Sequence, residues 1–195
     1  MARLFNRNFI VGVTGSIAAY KAAELTRSLI REGANVRVIM TEGACEFITP
    51  LTLQALSGHE VHTDLLDTEA EAAMGHIELA RWADAFLIAP ASADSIARLV
   101  QGRADDLLGA CALATPAPVF VAPAMNQEMW AKQATQDNVQ TLVSRGIAML
   151  GPSSGSQACG DVGAGRLLEP DDIVSAVIAH LCPGALWGRH GVISA

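Results

Sequence analysis

Apolar residues in this chain fall into two alternating patterns. Short, nearly continuous apolar runs close on glycine, proline or a small polar residue. Between them lie stretches in which apolar positions return every three or four residues. The first pattern is that of buried strands and the second that of helices with one apolar face. "NFIVGVTG" (8–15), "NVRVIMT" (35–41), "AFLIAPAS" (85–92), "PVFVAPAM" (118–125) and "IAMLGPSS" (147–154) read as strands. "SIAAYKAAELTRSLIREG" (16–33) reads as a helix through Ala18, Ala22, Leu25 and Leu29, with Ser16 as N-cap and Gly33 as its stop. "SADSIARLVQG", "ADDLLGACALAT", "QDNVQTLVSRG" and "EPDDIVSAVIAHL" supply further helices.

Repeated strand–helix units predict an α/β fold with a doubly wound parallel sheet. In such sheets ligands bind beyond the carboxyl ends of the strands. The informative loops are then 14–16, 41–43, 90–95, 123–126 and 151–165. The tail "CPGALWGRHGVISA" departs from the pattern, because Pro183 and Gly184 stop the last helix and "HGVISA" reads as an isolated strand.

Composition narrows the class of function. A chain of 195 residues with 51% hydrophobic and 17% charged residues is long enough to bury one sizeable core. Its net charge of −7 argues against nucleic acid or an anionic membrane as the main partner. No apolar run approaches the roughly 20 residues of a membrane span, and the N-terminal run is short and leads into a turn, unlike a signal peptide. The four cysteines, Cys45, Cys111, Cys159 and Cys182, are scattered without a C-x-x-C spacing. They read as free thiols of a cytoplasmic protein, with no disulfide framework and no metal site.

Four loops carry candidate chemistry, each with a plainer alternative. "GVTGSIAAYK" joins strand to helix through Gly15 and Ser16, where free N–H groups and a hydroxyl make a phosphate site or simply a capped turn. It lacks the glycine spacing and the downstream acid of a dinucleotide fold, so a mononucleotide fits better. His76 in "GHIELARWAD" is a proton carrier or a surface residue at a helix start. His59 and His62 have helical metal spacing but no third ligand nearby, and read as solvated. Asn126 in "APAMNQEMW" offers donors to a carboxylate, caps the helix starting at Gln127, or does both; Met129 and Trp130 read as packing residues. Cys159 lies in "QACGDVGAGRLLEP", whose glycines at 155, 160, 163 and 165 suit a mobile flap. Its thiol is inert, a nucleophile or a proton donor on these grounds alone.

"GSIAAYK", "GHIELARWAD", "APASADSIA", "PAMNQEMW" and "ACGDVGAGRLLEP", in this order and spacing, resemble the flavin-containing cysteine decarboxylases, from about Asn8 to Leu181. Within them the likeness is to members that act on phosphopantothenoylcysteine. The resemblance implies a single Rossmann-like, flavodoxin-type domain over 1–182 and bound FMN. The implied activity is decarboxylation of 4′-phosphopantothenoylcysteine to 4′-phosphopantetheine in coenzyme A biosynthesis. In that chemistry oxidation to a thioaldehyde lets CO2 leave to an enethiolate, which is then reduced. His76 matches the family's active-site histidine, Asn126 the residue holding the substrate's carboxylate and amide, and Cys159 the proton donor of the reductive half.

Gly15, Ser16, Thr41, Ser92, Ala93, Asp94, Ser95 and Ala124 match its FMN-binding positions. Asp94 departs from the pattern, which has Asn there; beside a flavin phosphate its carboxylate is unfavourable, so it faces away or bonds a backbone N–H. The resemblance also implies a homo-oligomer, a trimer or a dodecamer of trimers, with FMN and substrate between neighbouring subunits. Residues 183–195 resemble a linker and the first strand of a following phosphopantothenate–cysteine ligase domain. A relative that decarboxylates a peptide's C-terminal cysteine, and a non-catalytic flavin-binding module, are the alternative readings.

Overall fold

The computed structural model describes residues 2–65, 75–158 and 160–182. Five parallel strands form the central sheet: β1 (Asn8–Val13), β2 (Asn35–Met40), β3 (Ala85–Ala91), β4 (Val119–Pro123) and β5 (Ala148–Met149), in the order β2-β1-β3-β4-β5. This is the flavodoxin-type doubly wound order, and the chain reverses its direction of travel across the sheet between β1 and β3. Helices cover both faces: α1 (Lys21–Arg31), α2 (Glu42–Cys45), α3 (Pro50–Ser57), α4 (His76–Trp82), α5 (Ala93–Gln101), α6 (Leu107–Ala114), α7 (Gln127–Ala131), α8 (Gln133–Ser144) and α9 (Pro170–Leu181).

Two-residue periodicity splits each strand between two cores. Phe9, Val11 and Val13 point into one core with Leu25 and Leu29 of α1 and Ile173 and Val177 of α9. Ile10 points into the other, with Phe86, Ile88, Leu79, Leu108, Cys111 and Leu142. All seven residues of β3 are buried, as its unbroken apolar run predicts for a central strand. Phe9, Phe86 and Phe120 are fully buried, and each contributes roughly 1.5–3 kcal/mol of transfer free energy. Gly12 is closely packed: a Cβ there would lie 3.0 Å from Leu108 Cδ1 and 3.1 Å from the Phe86 ring, so one of the two would have to give way. The small residue lets α6 seat closely on the sheet.

The sequence reading and the structure differ in three places. The helix expected over 16–33 begins with a 3₁₀ turn, Ile17–Tyr20, before α1. The strand expected over 147–154 stops after Met149: Leu150 N still donates to Val121 O, Gly151 at φ +87° then turns the chain out of the extended conformation, and Pro152 has no N–H to resume the ladder. Ser153–Ser156 (β6) instead pairs antiparallel with Val162–Arg166 (β7), so the stretch read as a mobile flap is built on a hairpin. Helices α2 and α3 lie where the pattern carried no helical reading. Cys159 and the proposed linker and strand of 183–195 lie outside the described residues.

Candidate functional site

The carboxyl ends of β1, β3 and β4 open onto a cleft of about 690 Å³, closed on its far side by the β6–β7 hairpin. Gly15, Ser16, Lys21, Ser92, Ala93, Ala124, Met125, Asn126, Gln157 and Arg166 are among its lining residues. The cleft sits at the point where strand order reverses, where an open α/β sheet leaves a crevice between neighbouring loops.

Two hydroxyls mark one end of it. Ser16 Oγ accepts from Ala18 N at 3.2 Å and caps the 3₁₀ turn. Ser92 Oγ accepts from Ser95 N at 3.2 Å and lies 3.0 Å from Ser95 Oγ, capping α5. Thr14 ties the two loops together. Its buried hydroxyl donates to Pro90 O at 2.8 Å and accepts from Ser92 N at 2.9 Å. Gly15 packs against the next loop, where a Cβ would sit 3.2 Å from Gly43 C and O. Thr41 caps α2 through its side chain and is held to β1 by Thr41 N donating to Val13 O. This is a helix-start cradle with hydroxyls and backbone N–H groups, a donor set that suits a phosphate.

The opposite wall is built from the β4–α7 segment and the hairpin. Asn126 Oδ1 accepts from Glu128 N at 2.8 Å, so the predicted capping role is present. Asn126 Nδ2 donates to Asp161 Oδ2 at 2.9 Å. Around this bond the backbones interlock. Met125 N donates to Gly165 O at 2.9 Å, and Gln127 N to Gln157 Oε1 at 3.0 Å. At Gly163 a Cβ would collide with Gln127 Oε1, and at Gly165 with Met125 O. Gly165 is therefore needed for the contact of the hairpin with the backbone of the Asn126 segment, while at Gly163 the Gln127 side chain would have to move.

Of the residues singled out from the sequence, Gly15, Ser16, Ser92, Ala93, Ala124 and Asn126 line the same cleft. Thr41, the N-cap of α2, and Ser95, whose N–H donates to the Ser92 cap, are not among the lining residues. Asp94 turns outward: its carboxylate accepts from Arg98 Nε at 2.8 Å and its side chain is 72% exposed. That is the first of the two arrangements its charge permits. His76 opens α4, beside α6, where its carbonyl accepts from Cys111 Sγ at 3.5 Å, and it is not among the cleft-lining residues. Met129 lines the cleft and is 47% exposed, where the sequence reading gave it a packing role.

Thr14, Lys21, Gln157 and Arg166 were not singled out. Thr14 carries a signal in hindsight, a hydroxyl at the end of an apolar strand beside a Gly-Ser turn. Arg166 and Gln157 carry none, since their value depends on a hairpin pairing distant from α7 in sequence. Among the described residues no group of three His, Cys, Asp or Glu side chains is arranged to hold a metal ion, and no helix is long and apolar enough to cross a membrane.

Comparison with known proteins gives a consistent neighbourhood. The family profile described as Flavoprotein matches residues 3–182. The coenzyme A biosynthesis bifunctional protein CoaBC of Vibrio cholerae is 54% identical over 195 residues, covering 100% of this chain and 49% of that protein. The protein of the same name from Escherichia coli is 57% identical over 180 residues, covering 92% and 44%. The chain thus spans about half the length of these relatives. Among solved structures, a cysteine-to-serine variant of a PPC decarboxylase complexed with pantothenoylaminoethenethiol superposes with a TM-score of 0.79 at 33% identity, covering 90% of this chain and 98% of the other. The FMN-dependent cysteine decarboxylase SpaF gives 0.77 at 30% identity, covering 91% and 98%.

Proposed function

The chain belongs to the Flavoprotein family, and from that premise we propose that it is an FMN-dependent phosphopantothenoylcysteine decarboxylase of coenzyme A biosynthesis. It converts 4′-phosphopantothenoylcysteine to 4′-phosphopantetheine. The observation that carries this reading is the cleft itself. A phosphate-type cradle at Ser16 and Ser92 faces an oriented carboxamide at Asn126, in a fold shared with PPC decarboxylase at a TM-score of 0.79.

The cradle fits FMN on its own chemistry, because capping hydroxyls and helix-start N–H groups match a phosphate monoester. Gly15, Ser16, Ser92, Ala93 and Ala124 would hold it, with Thr41 and Ser95 fixing their loops. Bound there, FMN supplies the two-electron sink and source that a redox-neutral decarboxylation needs.

The chain's own groups do the rest. Asn126 presents its Nδ2 edge to the substrate's carboxylate, with its amide orientation set by the bonds to Glu128 N and Asp161. Cys159 gives a proton to the carbon that has lost CO2. The solved cysteine-to-serine relative holds an aminoethenethiol, which supports a thiol acting after CO2 has left. His76 serves the oxidative half. Its place away from the cleft of its own chain supports a site completed by a neighbouring subunit, in a trimer or an assembly of trimers. A ligase domain adjoins this one in the full-length protein, with residues 183–195 leading into it; the CoaBC relatives of about twice the length support that arrangement.

Two measurements test the reading. Purified protein is expected to be yellow, with a flavin absorption band that bleaches and recovers as CO2 is released from the phosphorylated substrate. Colourless protein that FMN does not reconstitute would remove the proposal. Cys159→Ser is expected to release CO2 but stop at the enethiol, and full turnover by that variant would remove the proton-donor role.

A further inference from the structure

Lys21 on α1 and Arg166 at the end of β7 both line the cleft, and both reach one carboxylate. Lys21 Nζ lies 2.9 Å from Glu169 Oε1 and 3.0 Å from Oε2; an Arg166 NH2 nitrogen lies 2.8 Å from Oε1. Glu169 is the residue before Pro170 at the start of α9 and does not itself line the cleft. The Lys21 side chain is only 12% exposed, so its stem is packed and its ammonium is held at Glu169 in a fixed place. The bond from Lys21 holds the Glu169 carboxyl below the usual carboxylate range, which keeps that partner charged.

The sum of charges favours an anion. Two cations against one carboxylate leave one net positive charge at the cleft wall, in a chain whose net charge is −7. Donors remain as well. An ammonium has three N–H groups and Lys21 spends two on Glu169; a guanidinium has five and Arg166 spends one. Among the described residues neither side chain makes any other hydrogen bond. The hairpin makes room for the guanidinium, since a Cβ at Gly155 would come within 3.3 Å of an Arg166 NH1 nitrogen. Lys21 and Arg166 line the same cleft as Ser16 and Ser92, and in the proposed function the Ser16–Ser92 cradle is taken by FMN. A second phosphate in the same cleft needs a second set of donors.

We propose that Lys21 and Arg166 form the subsite for the substrate's phosphate ester, with Glu169 holding the two cations side by side. The inference rests on the decarboxylase reading above. A phosphate dianion takes the remaining N–H groups of both cations, so each contact is charge-assisted. Glu169 is a positioning residue here: without it two like charges would repel each other in a partly desolvated place.

The test compares FMN-loaded chain on 4′-phosphopantothenoylcysteine and on its dephosphorylated counterpart, in the wild type, Lys21→Met and Arg166→Met. The wild type is expected to prefer the phosphorylated substrate in KM. Each variant is expected to shrink that preference by about 10- to 100-fold, with FMN still bound. An unaltered preference in both variants would overturn the subsite. So would loss of FMN in parallel with the loss of preference, because the cations would then serve the cofactor. Wild-type chain that decarboxylates neither compound would remove the decarboxylase reading, and the subsite with it. If the methionine variants fold poorly, Glu169→Gln keeps the question open to an answer. It removes the charge that holds the two cations side by side, and inhibition by inorganic phosphate should weaken several-fold; unchanged or tighter inhibition counts against the proposal.

Discussion

Asp161, on the β6–β7 hairpin, accepts a hydrogen bond of 2.9 Å from Nδ2 of Asn126, at the mouth of β4 and 35 residues earlier in the chain. With Asn126 Oδ1 committed to Glu128 N, this bond determines which way round the carboxamide sits. Asp161→Ala is expected to let the amide rotate and to raise KM about tenfold, with less effect on kcat, the size of one lost charge-assisted bond. Asp161→Asn keeps an acceptor at that place and should recover most of the loss. Equal KM values in both variants and the wild type would show that the amide needs no such support.

Gly165 is where hairpin and Asn126 segment come closest. It has φ +132° and its added Cβ would meet Met125 O. Gly58 also has positive φ, +73°, but open space around it. Gly165→Ala is therefore expected to destabilise the fold by more than the about 1 kcal/mol that backbone strain alone costs at Gly58→Ala. Urea denaturation of the two variants compares them directly, and equal midpoints would mean that the hairpin yields without cost.

Thr14 joins the loops after β1 and β3 through two bonds at one buried hydroxyl. Thr14→Val preserves the shape and leaves Ser92 N–H without its acceptor, at a cost of roughly 1–3 kcal/mol. Thr14→Ser should retain most of the wild-type stability and FMN affinity. Thermal melts with and without added FMN distinguish the outcomes, and a valine variant that melts with the wild type would show the tie to be dispensable.

Burial pushes the Cys111 thiol up to about 12, with the nearby Asp106 carboxylate adding to the effect. The unfolded thiol ionises at a lower pH than the folded one. The stabilisation is thus complete below the ordinary thiol range and is lost as pH rises through it toward 12. Wild-type chain is expected to lose stability relative to Cys111→Ala over that alkaline window. At pH 8, iodoacetamide should modify Cys111 only as the chain unfolds. Labelling at the rate of an open thiol would contradict its burial.

Much of this architecture could be read before any coordinates, for a local reason. Apolar continuity at β3 reports burial on both faces, and the turn of small residues at Gly15–Ser16 reports a cap and a tight approach; each depends on neighbours in the chain. The same locality explains why Ser16 and Asn126 were visible as candidates, since each caps the helix that follows it, whereas Ser92 entered through the family likeness. Their likeness to a known family then added roles that spacing alone left open.

Long-range pairing decided the remainder. The hairpin stretch, met as glycines and serines, has no strong strand propensity. It becomes β structure because Ser153–Ser156 finds Val162–Arg166 and because the pair docks on Met125–Gln127. Lys21, Arg166 and Glu169 meet across as many as 148 residues of chain, so no window of sequence could bring their charges together. Outward rotation of Asp94 has instead a local cause, the i,i+4 pair with Arg98 one turn on in α5. Chain pattern settles which segments become strands and helices because that choice depends on local sterics and burial. Which side chains share the cleft depends on contacts between segments far apart in sequence, and those exist only once the sheet has closed.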